Sequence, residues 1–362
     1  MCRAARARWV AIAVLGALAA LEVGLRVGGY RPRLSAVPDE HFGWVLLPNQ
    51  RTVQDGRDVV TNAQGFYGED VPRPADQRDG ALVAVLGSSF TVGPGVSMSE
   101  GWPAMLEARL NGSVGPRLRV ANFAVSGYGS QQMRRVYDAH IAALKPEVLV
   151  VEINSGAPVP SFLPADPNSR LHKWLVRSAV YDAWTQFVTR DRGARMAPAT
   201  EGPELADQER LQALYRDPLG EAHRDSWRSV EADLMHMAQV QRGHGGRLVV
   251  LAAPMLDHWL GEPPARPATI LAGFDAMTGE AAPPLVDVFD DWTPSIESWL
   301  ASCERMGFTR ESVWSAIRSG AFEELWSANA PPYLVTDPMH WSAEGHRLVA
   351  EALGEAIELL VD

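Results

Sequence analysis

Residues 82–93 read LVAVLGSSFTVG, and this stretch decides the class of fold. Its first five residues are all apolar, which is typical of a strand buried on both faces of a parallel sheet. Gly87, Ser88 and Ser89 interrupt the apolar run, so we expect the strand to end there in a turn. A serine at such a turn lies at the carboxyl edge of the sheet, near the N–H groups that open the next helix and stabilise negative charge.

The rest of the chain repeats the alternation of buried strands and helices. Four more short apolar runs follow, at residues 118–125, 148–153, 248–253 and 285–289. Segments with apolar residues at helical spacing accompany them, at residues 131–144, 227–238 and 343–360. This order predicts an α/β fold, a three-layer α/β/α sandwich around a parallel five-stranded sheet. Sheets of this kind place their active sites beyond the carboxyl ends of the strands.

The N-terminus is expected to direct the chain to a membrane. Within residues 1–30, three arginines precede an apolar stretch from Trp9 to Leu25, which is typical of a signal-anchor or a signal peptide. The stretch just reaches the roughly 17 residues that a span needs. Ala17-Leu18-Ala19 also offers a cleavage site, and a buried first helix is a third interpretation. In the first two cases residues 31–362 lie outside the cytoplasm, anchored in the cell envelope or secreted.

Two kinds of segment fall outside the alternation of strands and helices. Residues 31–80 are rich in proline, glycine and aspartate, and they are predicted to form an irregular lead-in to a domain at 81–362. Residues 155–225 and 290–332 contain many tryptophans and prolines, and they are long for connections between elements. We interpret these two segments as insertions that partly roof the site.

Candidate catalytic groups follow the strands and precede the last helix. Besides Ser89, they are Gly127 after the second apolar run, Asn154 after the third, and Asp337 and His340 in the last loop. A serine hydroxyl needs a base to take its proton, and the base needs a carboxylate to hold its tautomer. A glycine N–H and an asparagine amide can donate to an oxyanion. Each signal alone also fits a turn or a cap, but their shared placement at one edge favours nucleophilic catalysis.

In the order of these groups, the chain resembles the SGNH hydrolases, also called GDSL-like esterases and lipases. The family's four blocks match Gly87-Ser88-Ser89-Phe90, Ser126-Gly127-Tyr128-Gly129, Glu152-Ile153-Asn154-Ser155 and Asp337 to His340. The N-terminal segment and the residues that flank the blocks are similar to the envelope-anchored bacterial branch of the family. Two blocks depart from the pattern: Ser88 stands where the family has aspartate, and Glu152 and Ser155 replace the usual neighbours of the asparagine.

The resemblance implies a flavodoxin-like fold and a serine esterase, with Ser89 as nucleophile, His340 as general base and Asp337 as the carboxylate that orients it. It implies an oxyanion hole formed by the N–H groups of Ser89 and Gly127 and the side chain of Asn154. The expected substrate is an acylated small molecule, lipid or polysaccharide, and no cofactor is expected. Two alternatives stay open: an O-acetyltransferase that acts on an envelope polysaccharide, and a non-catalytic binding protein on the same scaffold.

Composition and spacing argue against several other functions. The net charge of −11 argues against nucleic acid as a partner, because its binding requires basic surface. The nine histidines include no HExxH spacing, so no metal site is expected. Gly93-Pro94-Gly95 lacks the lysine of a phosphate-binding loop. The sequence defines neither the ester nor the oligomeric state.

Overall fold

The computed structural model describes residues 3–54, 57–71, 81–113, 118–158, 175, 177–189, 224–260, 283–319, 331–333, 337 and 340–361. The helices in these ranges are α1 Arg3–Val27, α2 Ser89–Val92, α3 Trp102–Ser113, α4 Ser130–Val136, α5 Ala179–Thr189, α6 Arg224–Gly243, α7 Asp257–Leu260, α8 Phe289–Arg305, α9 Arg310–Ser319 and α10 Ala343–Val361. The strands are β1 Ala36–Asp39, β2 Gly43–Leu46, β3 Arg51–Gln54, β4 Arg57–Val60, β5 Leu82–Leu86, β6 Arg119–Asn122, β7 Val148–Ile153, β8 Arg247–Ala252 and β9 Leu285–Asp287.

A five-stranded parallel sheet forms the centre of the fold, in the order β6-β5-β7-β8-β9. The chain leaves β5 toward one edge, forms β6, and then crosses back over β5 to form β7. The connections therefore run in opposite directions on the two sides of the boundary between β5 and β7. Open α/β sheets bind their ligands at such a boundary, beyond the carboxyl ends of the strands.

Alternate residues of the strands face two separate apolar cores. Val83 and Val85 pack with α3, α8 and α10, whereas Ala84 and Leu86 pack with α4 and α6. Every residue of β5 and β7 is buried, as expected for strands that are covered on both faces. The sheet is thus the middle layer of a three-layer α/β/α sandwich, and the predicted fold class is confirmed.

The predicted elements differ from the observed ones mainly at their ends. β6 stops at Asn122, although the apolar run continues to residue 125, because the Asn122 side chain accepts the Ala124 N–H at 2.9 Å and turns the chain. The helix predicted over residues 131–144 is regular only to Val136. A π-helical turn and a 3-10 turn complete it, and apolar spacing alone does not distinguish these forms.

The lead-in at residues 31–80 is not irregular throughout, contrary to the prediction. β1 pairs antiparallel with β2, and β3 pairs antiparallel with β4. Trp44 of the first hairpin is buried against Tyr128, whose hydroxyl donates to the Trp44 carbonyl. Strands of four residues give a weak pattern, and isolated hairpins need packing against other elements. Local sequence therefore did not reveal them, and residues 72–80 lie outside the described part.

The structure also corrects the prediction that residues 290–332 are an insertion over the site. Its described part includes α8, in which Trp292 and Trp299 are fully buried and belong to the same core as Val83 and Val85. α8 is therefore part of a helix layer and not a roof over the site. The other predicted insertion, at 155–225, is described only at residues 155–158, 175, 177–189 and 224–225.

Helix α1 lies apart from both cores. Its segment Arg6–Val27 is long and apolar enough to cross a membrane, and none of it is buried within the protein. A signal sequence has the same properties. The described contacts of α1 with the rest of the chain include Glu22 and Arg26 near its C-terminal end.

Candidate active site

The turn after β5 places Ser88 and Ser89 beside the end of the neighbouring strand β7. Ser89 begins α2, and Ser88 precedes it in an extended conformation. Gly87 is required in this turn, because a Cβ there would lie 2.0 Å from Thr91 Oγ1 and 2.8 Å from Glu152 Oε2. Ser88 is buried, whereas Ser89 is half-buried at the edge of the sheet.

The loop before α10 brings an imidazole to Ser89. His340 Nε2 lies 2.9 Å from Ser89 Oγ, and His340 Nδ1 lies 2.6 Å from Asp337 Oδ2. Because a carboxylate only accepts hydrogen bonds, Nδ1 carries the proton and donates it to Asp337. Nε2 is then the unprotonated nitrogen and accepts the Ser89 O–H. The side chain of His340 is 21% exposed and that of Asp337 is 44% exposed, so this group opens toward solvent.

Buried aromatic side chains fix the position of the histidine. Trp341 is fully buried, and its Nε1 donates to the Pro254 carbonyl at 3.1 Å, just beyond the end of β8. Tyr333 forms a β-bridge with Trp341, and its hydroxyl donates to the same carbonyl at 3.0 Å. The ring of Phe90 lies 5.4 Å from the ring of His340 and 5.0 Å from that of Trp341. The histidine is therefore positioned by core residues and by the neighbour of Ser89.

The hydroxyl of Ser88, the other serine of this turn, belongs to a different hydrogen-bond network. Its Oγ donates to Glu152 Oε2 at 2.9 Å, and its backbone N–H donates to the same oxygen at 2.6 Å. Thr91 Oγ1 also donates to that oxygen, at 3.2 Å. Glu152 is completely buried, and burial raises its pKa, although these hydrogen bonds act against the rise. The hydroxyl that meets His340 is thus that of Ser89, whereas Ser88 faces a buried carboxyl group.

Asn154 follows the end of β7 and joins the same network. Its Oδ1 accepts the Gly156 N–H at 2.7 Å, which fixes the orientation of the amide. Its Nδ2 donates to Ser88 Oγ at 2.8 Å and to Glu152 Oε1 at 2.9 Å. Both amide hydrogens are therefore bound to protein acceptors. The role predicted for Asn154 as an oxyanion donor requires one of them to turn toward the substrate.

Gly127 lies in the turn after β6, beside β5. Its φ of +80° is in the left-handed region that favours glycine. The Val125 N–H, two residues earlier, donates to the Gly87 carbonyl at 3.2 Å and ties this turn to the turn of the two serines. Since β6, β5 and β7 are parallel neighbours, the turns that carry Gly127, Ser89 and Asn154 all lie at one edge of the sheet.

Sequence reasoning did not find two buried histidines near the sheet edge. His346 Nδ1 accepts a hydrogen bond from the backbone N–H of Trp102 at 3.3 Å. His258 Nδ1 accepts one from the backbone N–H of Met255 at 3.0 Å. His258 is then protonated at Nε2, which donates to Ser155 Oγ at 2.7 Å. Burial lowers the pKa of each histidine to about 3, so both stay neutral. Their spacing in the sequence carried no signal for these contacts.

Glu152 was treated in the sequence only as a departure from the family's block, although a signal was present. It is an acidic residue inside an apolar run, and a buried carboxyl group requires hydrogen-bond partners. In the part of the chain that the structure describes, no three histidine, cysteine, aspartate or glutamate side chains are grouped as ligands of one metal ion.

No family model matches the chain, and no curated protein matches it. Several solved structures are similar to it at low identity. A catalytic mutant of an acetylxylan esterase from Geobacillus stearothermophilus is 14% identical, with a TM-score of 0.40, over 77% of this chain and 96% of that chain. The lipase/acylhydrolase from Enterococcus faecalis is 10% identical, with a TM-score of 0.39, over 77% and 95%. A psychrotrophic esterase from Pseudoalteromonas is 10% identical, with a TM-score of 0.38, over 77% and 98%. At these TM-scores, the activity of this chain has to be argued from its own residues.

Proposed function

We propose that the chain is a serine esterase, a hydrolase that acts on ester bonds, with Ser89 as its nucleophile. The supporting observation is the continuous pair of hydrogen bonds from Ser89 Oγ to His340 Nε2, at 2.9 Å, and from His340 Nδ1 to Asp337 Oδ2, at 2.6 Å. Both distances are those of a nucleophile, its base and the carboxylate that orients the base. A non-catalytic scaffold has no need of this alignment.

In the first half of the reaction, Ser89 Oγ attacks the carbonyl carbon of the ester while His340 Nε2 takes the hydroxyl proton. Asp337 stabilises the imidazolium that forms. The N–H groups of Ser89 and Gly127 stabilise the negative oxygen of the tetrahedral intermediate, and Asn154 joins them when it releases one of its present acceptors. The imidazolium then gives its proton to the departing alcohol, which leaves an acyl group on Ser89.

In the second half, water replaces the alcohol. Neutral His340 takes a proton from the water as it attacks the acyl carbon, and it then returns that proton to Ser89 Oγ as the acid departs. Only a neutral imidazole can accept a proton, so the mechanism requires the tautomer of His340 in which Nε2 is unprotonated and Nδ1 donates to Asp337. A sugar hydroxyl in place of water would give the O-acetyltransferase, and product analysis with an added oligosaccharide distinguishes the two.

The adjacent serines provide a matched test of the proposal. Ser89→Ala is expected to reduce kcat for p-nitrophenyl acetate by at least about 10³-fold, because no nucleophile is left for the base. Ser88→Ala is expected to keep measurable acyl-enzyme turnover, because Ser89 and His340 are unchanged. Circular dichroism checks that both variants fold. Full activity in Ser89→Ala would contradict the proposal.

Helix α1 supports a location for this enzyme. We place α1 in a membrane as a retained anchor, with residues 31–362 outside the cytoplasm and the domain at 81–362 carrying the site. The helix is apolar and unburied over Arg6–Val27, and its Glu22 accepts hydrogen bonds from the folded chain. The mass of the mature chain tests this placement: we expect the uncleaved chain, and a chain that begins near residue 20 would contradict the anchor.

A further inference from the structure

Polar contacts hold α5 to the C-terminal end of α1. Glu22 accepts hydrogen bonds from the first two N–H groups of α5, each at 3.0 Å, and from Ser178 Oγ at 2.8 Å. A carboxylate at a helix N-terminus satisfies N–H groups that have no partner within the helix. Arg26 Nη2 also donates to the Arg177 carbonyl at 2.8 Å. α5 therefore begins at the level of Glu22 on α1.

The polar face of α5 is the one that contacts the rest of the protein. Asp182 accepts hydrogen bonds from the Tyr30 hydroxyl at 2.8 Å and from Arg33 Nε at 3.0 Å. Gln186 Nε2 donates to the Tyr30 hydroxyl at 2.9 Å, and Arg33 Nη2 donates to Thr185 Oγ1 at 3.2 Å. Asp182, Thr185 and Gln186 thus form the side of α5 that faces the chain that follows α1.

The opposite face of α5 is apolar: Val180 on it is half-buried, and its two aromatic side chains are exposed. Val180, Trp184 and Phe187 are spaced four and three residues apart, so they share one side of the helix. Trp184 is 59% exposed and Phe187 is 77% exposed. A helix on the surface of a soluble domain has the reverse arrangement, with its apolar side toward the core. Adjoining exposed aromatic side chains of this kind mark an interaction surface.

The contact between α5 and α1 determines how far from the hydrocarbon of a bilayer the apolar face of α5 lies. The 22 residues of Arg6–Val27 extend for about 33 Å, close to the ~30 Å hydrocarbon core of a bilayer. Glu22 and Arg26 form an ion pair at 2.7 Å, so this end of α1 lies at the outer interface rather than within the hydrocarbon. Phe187 follows Ser178 by nine residues, so it is displaced by at most about 14 Å. Ser178 contacts Glu22, so Phe187 lies within about 14 Å of this interface. The contacts of Asp182 with Tyr30 and Arg33 place α5 beside the residues that follow α1 rather than deeper in the hydrocarbon.

Arginines surround the same junction. A cleft of about 370 Å³ opens beside the end of α1, and its walls include Arg26, Arg51 and Arg177. All three arginines are exposed, although the chain as a whole carries a net charge of −11. Basic side chains next to a membrane segment are attracted to anionic lipid headgroups. Arg26 is paired with Glu22 at 2.7 Å, and Arg51 and Arg177 add positive charge at this junction that anionic headgroups attract.

We infer that α5 is a membrane-interface helix, and that Val180, Trp184 and Phe187 lie among the lipid headgroups of the bilayer that holds α1. The inference rests on the proposed anchor, and it adds a second contact to it. Aromatic side chains are favoured at this depth of a bilayer. Because Glu22 and Asp182 tie α5 to the anchor and to the residues that follow it, the catalytic domain is held against the membrane surface rather than on a free tether.

The test uses the full chain in vesicles of phosphatidylcholine and phosphatidylglycerol. In a Cys2→Ser background, where the remaining Cys303 is buried, single cysteines are introduced by Trp184→Cys, Phe187→Cys, Leu18→Cys on α1 and Ser315→Cys on α9. Each is labelled with an environment-sensitive fluorophore. Lipids that carry a nitroxide on the headgroup or deep in the acyl chain then serve as quenchers. Labelling of Ser89 by a fluorophosphonate reports separately on the folding and function of every variant.

We expect the headgroup nitroxide to reduce fluorescence at positions 184 and 187, the acyl-chain nitroxide to reduce it at position 18, and neither to reduce it at position 315. Quenching at 184 and 187 no stronger than at 315, with 18 still quenched, overturns the inference and leaves the anchor in place. An unquenched position 18 removes the anchor and the inference with it. Absence of fluorophosphonate labelling in the Cys2→Ser parent, with quenching intact in the variants, contradicts only the esterase.

Discussion

Ser88 and Ser89 are adjacent in the turn after β5, but their hydroxyls have different hydrogen-bond partners. Ser89 Oγ meets His340 Nε2, whereas Ser88 Oγ donates to the buried Glu152. The unprotonated Nε2 of His340 can take the proton of a hydroxyl. Glu152 Oε2 already accepts three hydrogen bonds, so it is a poor base for the Ser88 hydroxyl. The choice of nucleophile therefore depends on the partner of each hydroxyl and not on the serine itself.

Among the residues that the structure describes, Asp337 and Asp138 each bind a histidine nitrogen, and this provides a controlled comparison. Asp337→Asn is expected to lower kcat by about 10³- to 10⁴-fold, because an amide no longer fixes the tautomer of His340 or stabilises its charge. Asp138 binds His236 Nε2 at 2.7 Å on another surface, and Asp138→Asn is expected to leave kcat unchanged. Steady-state hydrolysis of p-nitrophenyl acetate measures both variants. Equal activity in the two would contradict the role of Asp337.

The sequence predicted the positions of the candidate residues and the pairing of Ser89, His340 and Asp337, but it did not predict the partners of Asn154. Each lies where an apolar run ends or in the short Asp337 to His340 turn, and turns leave a local signal. The hydrogen bond of Asn154 to Ser88 depends on how β5 and β7 pair. Contacts between strands that are more than 60 residues apart are a tertiary property, so the occupied amide of Asn154 was not foreseen.

At the scale of elements, the sequence predicted the central strands of the sheet. It missed the short hairpins, which are stable only when packed against other elements, and it misassigned α8. β5 is an uninterrupted apolar run and β7 is apolar except for Glu152; every residue of both strands is buried, and their bounds agree with the prediction. The hairpins β1-β2 and β3-β4 consist of strands of four residues, which are too short to show a clear period. α8 was misjudged because its tryptophans suggested a surface insertion, whereas Trp292 and Trp299 point into the core.

The turn between β5 and α2 leaves no room for a side chain at Gly87. Gly87→Ala is expected to lower the free energy of unfolding by roughly 1–3 kcal/mol, because the new Cβ overlaps Thr91 Oγ1 and the carboxyl group of Glu152. Gly112→Ala in α3 is the control, because no atom lies within 4 Å of its Cβ position, and a gain of up to about 1 kcal/mol is expected. Urea denaturation measures both. A Gly87→Ala protein as stable as Gly112→Ala would show that the turn is looser than described.

At the scale of the whole molecule, two buried histidines make folding sensitive to acid. Burial lowers the pKa of His258 and of His346 from 6.5 to about 3. Between these values the unfolded chain binds protons that the folded chain does not, so stability is complete above pH 6.5 and is lost as the pH falls toward 3. Each histidine contributes a slope of about 1.4 kcal/mol per pH unit in this window. Glu152 acts in the opposite direction, because burial raises its pKa.

Urea denaturation between pH 7 and pH 5 tests this dependence. The wild-type chain is expected to lose stability on acidification, and His258→Gln is expected to lose about 2 kcal/mol less over this range, because the unfolded pKa of 6.5 lies inside it. His346→Gln serves as a second variant if His258→Gln does not fold, since His346 lies in a separate contact with Trp102. A His258→Gln chain that loses as much stability on acidification as the wild type would contradict the burial of this neutral ring.

The most direct test of the central claim is to locate the residue that a fluorophosphonate modifies. The folded chain is treated with the probe, and fragmentation of the modified peptide distinguishes the two adjacent serines by mass spectrometry. The account predicts a single adduct on Ser89, which disappears in His340→Ala while the fold is kept, because the base that activates the hydroxyl is removed. An adduct on Ser88, or labelling of Ser89 that does not depend on His340, would contradict it.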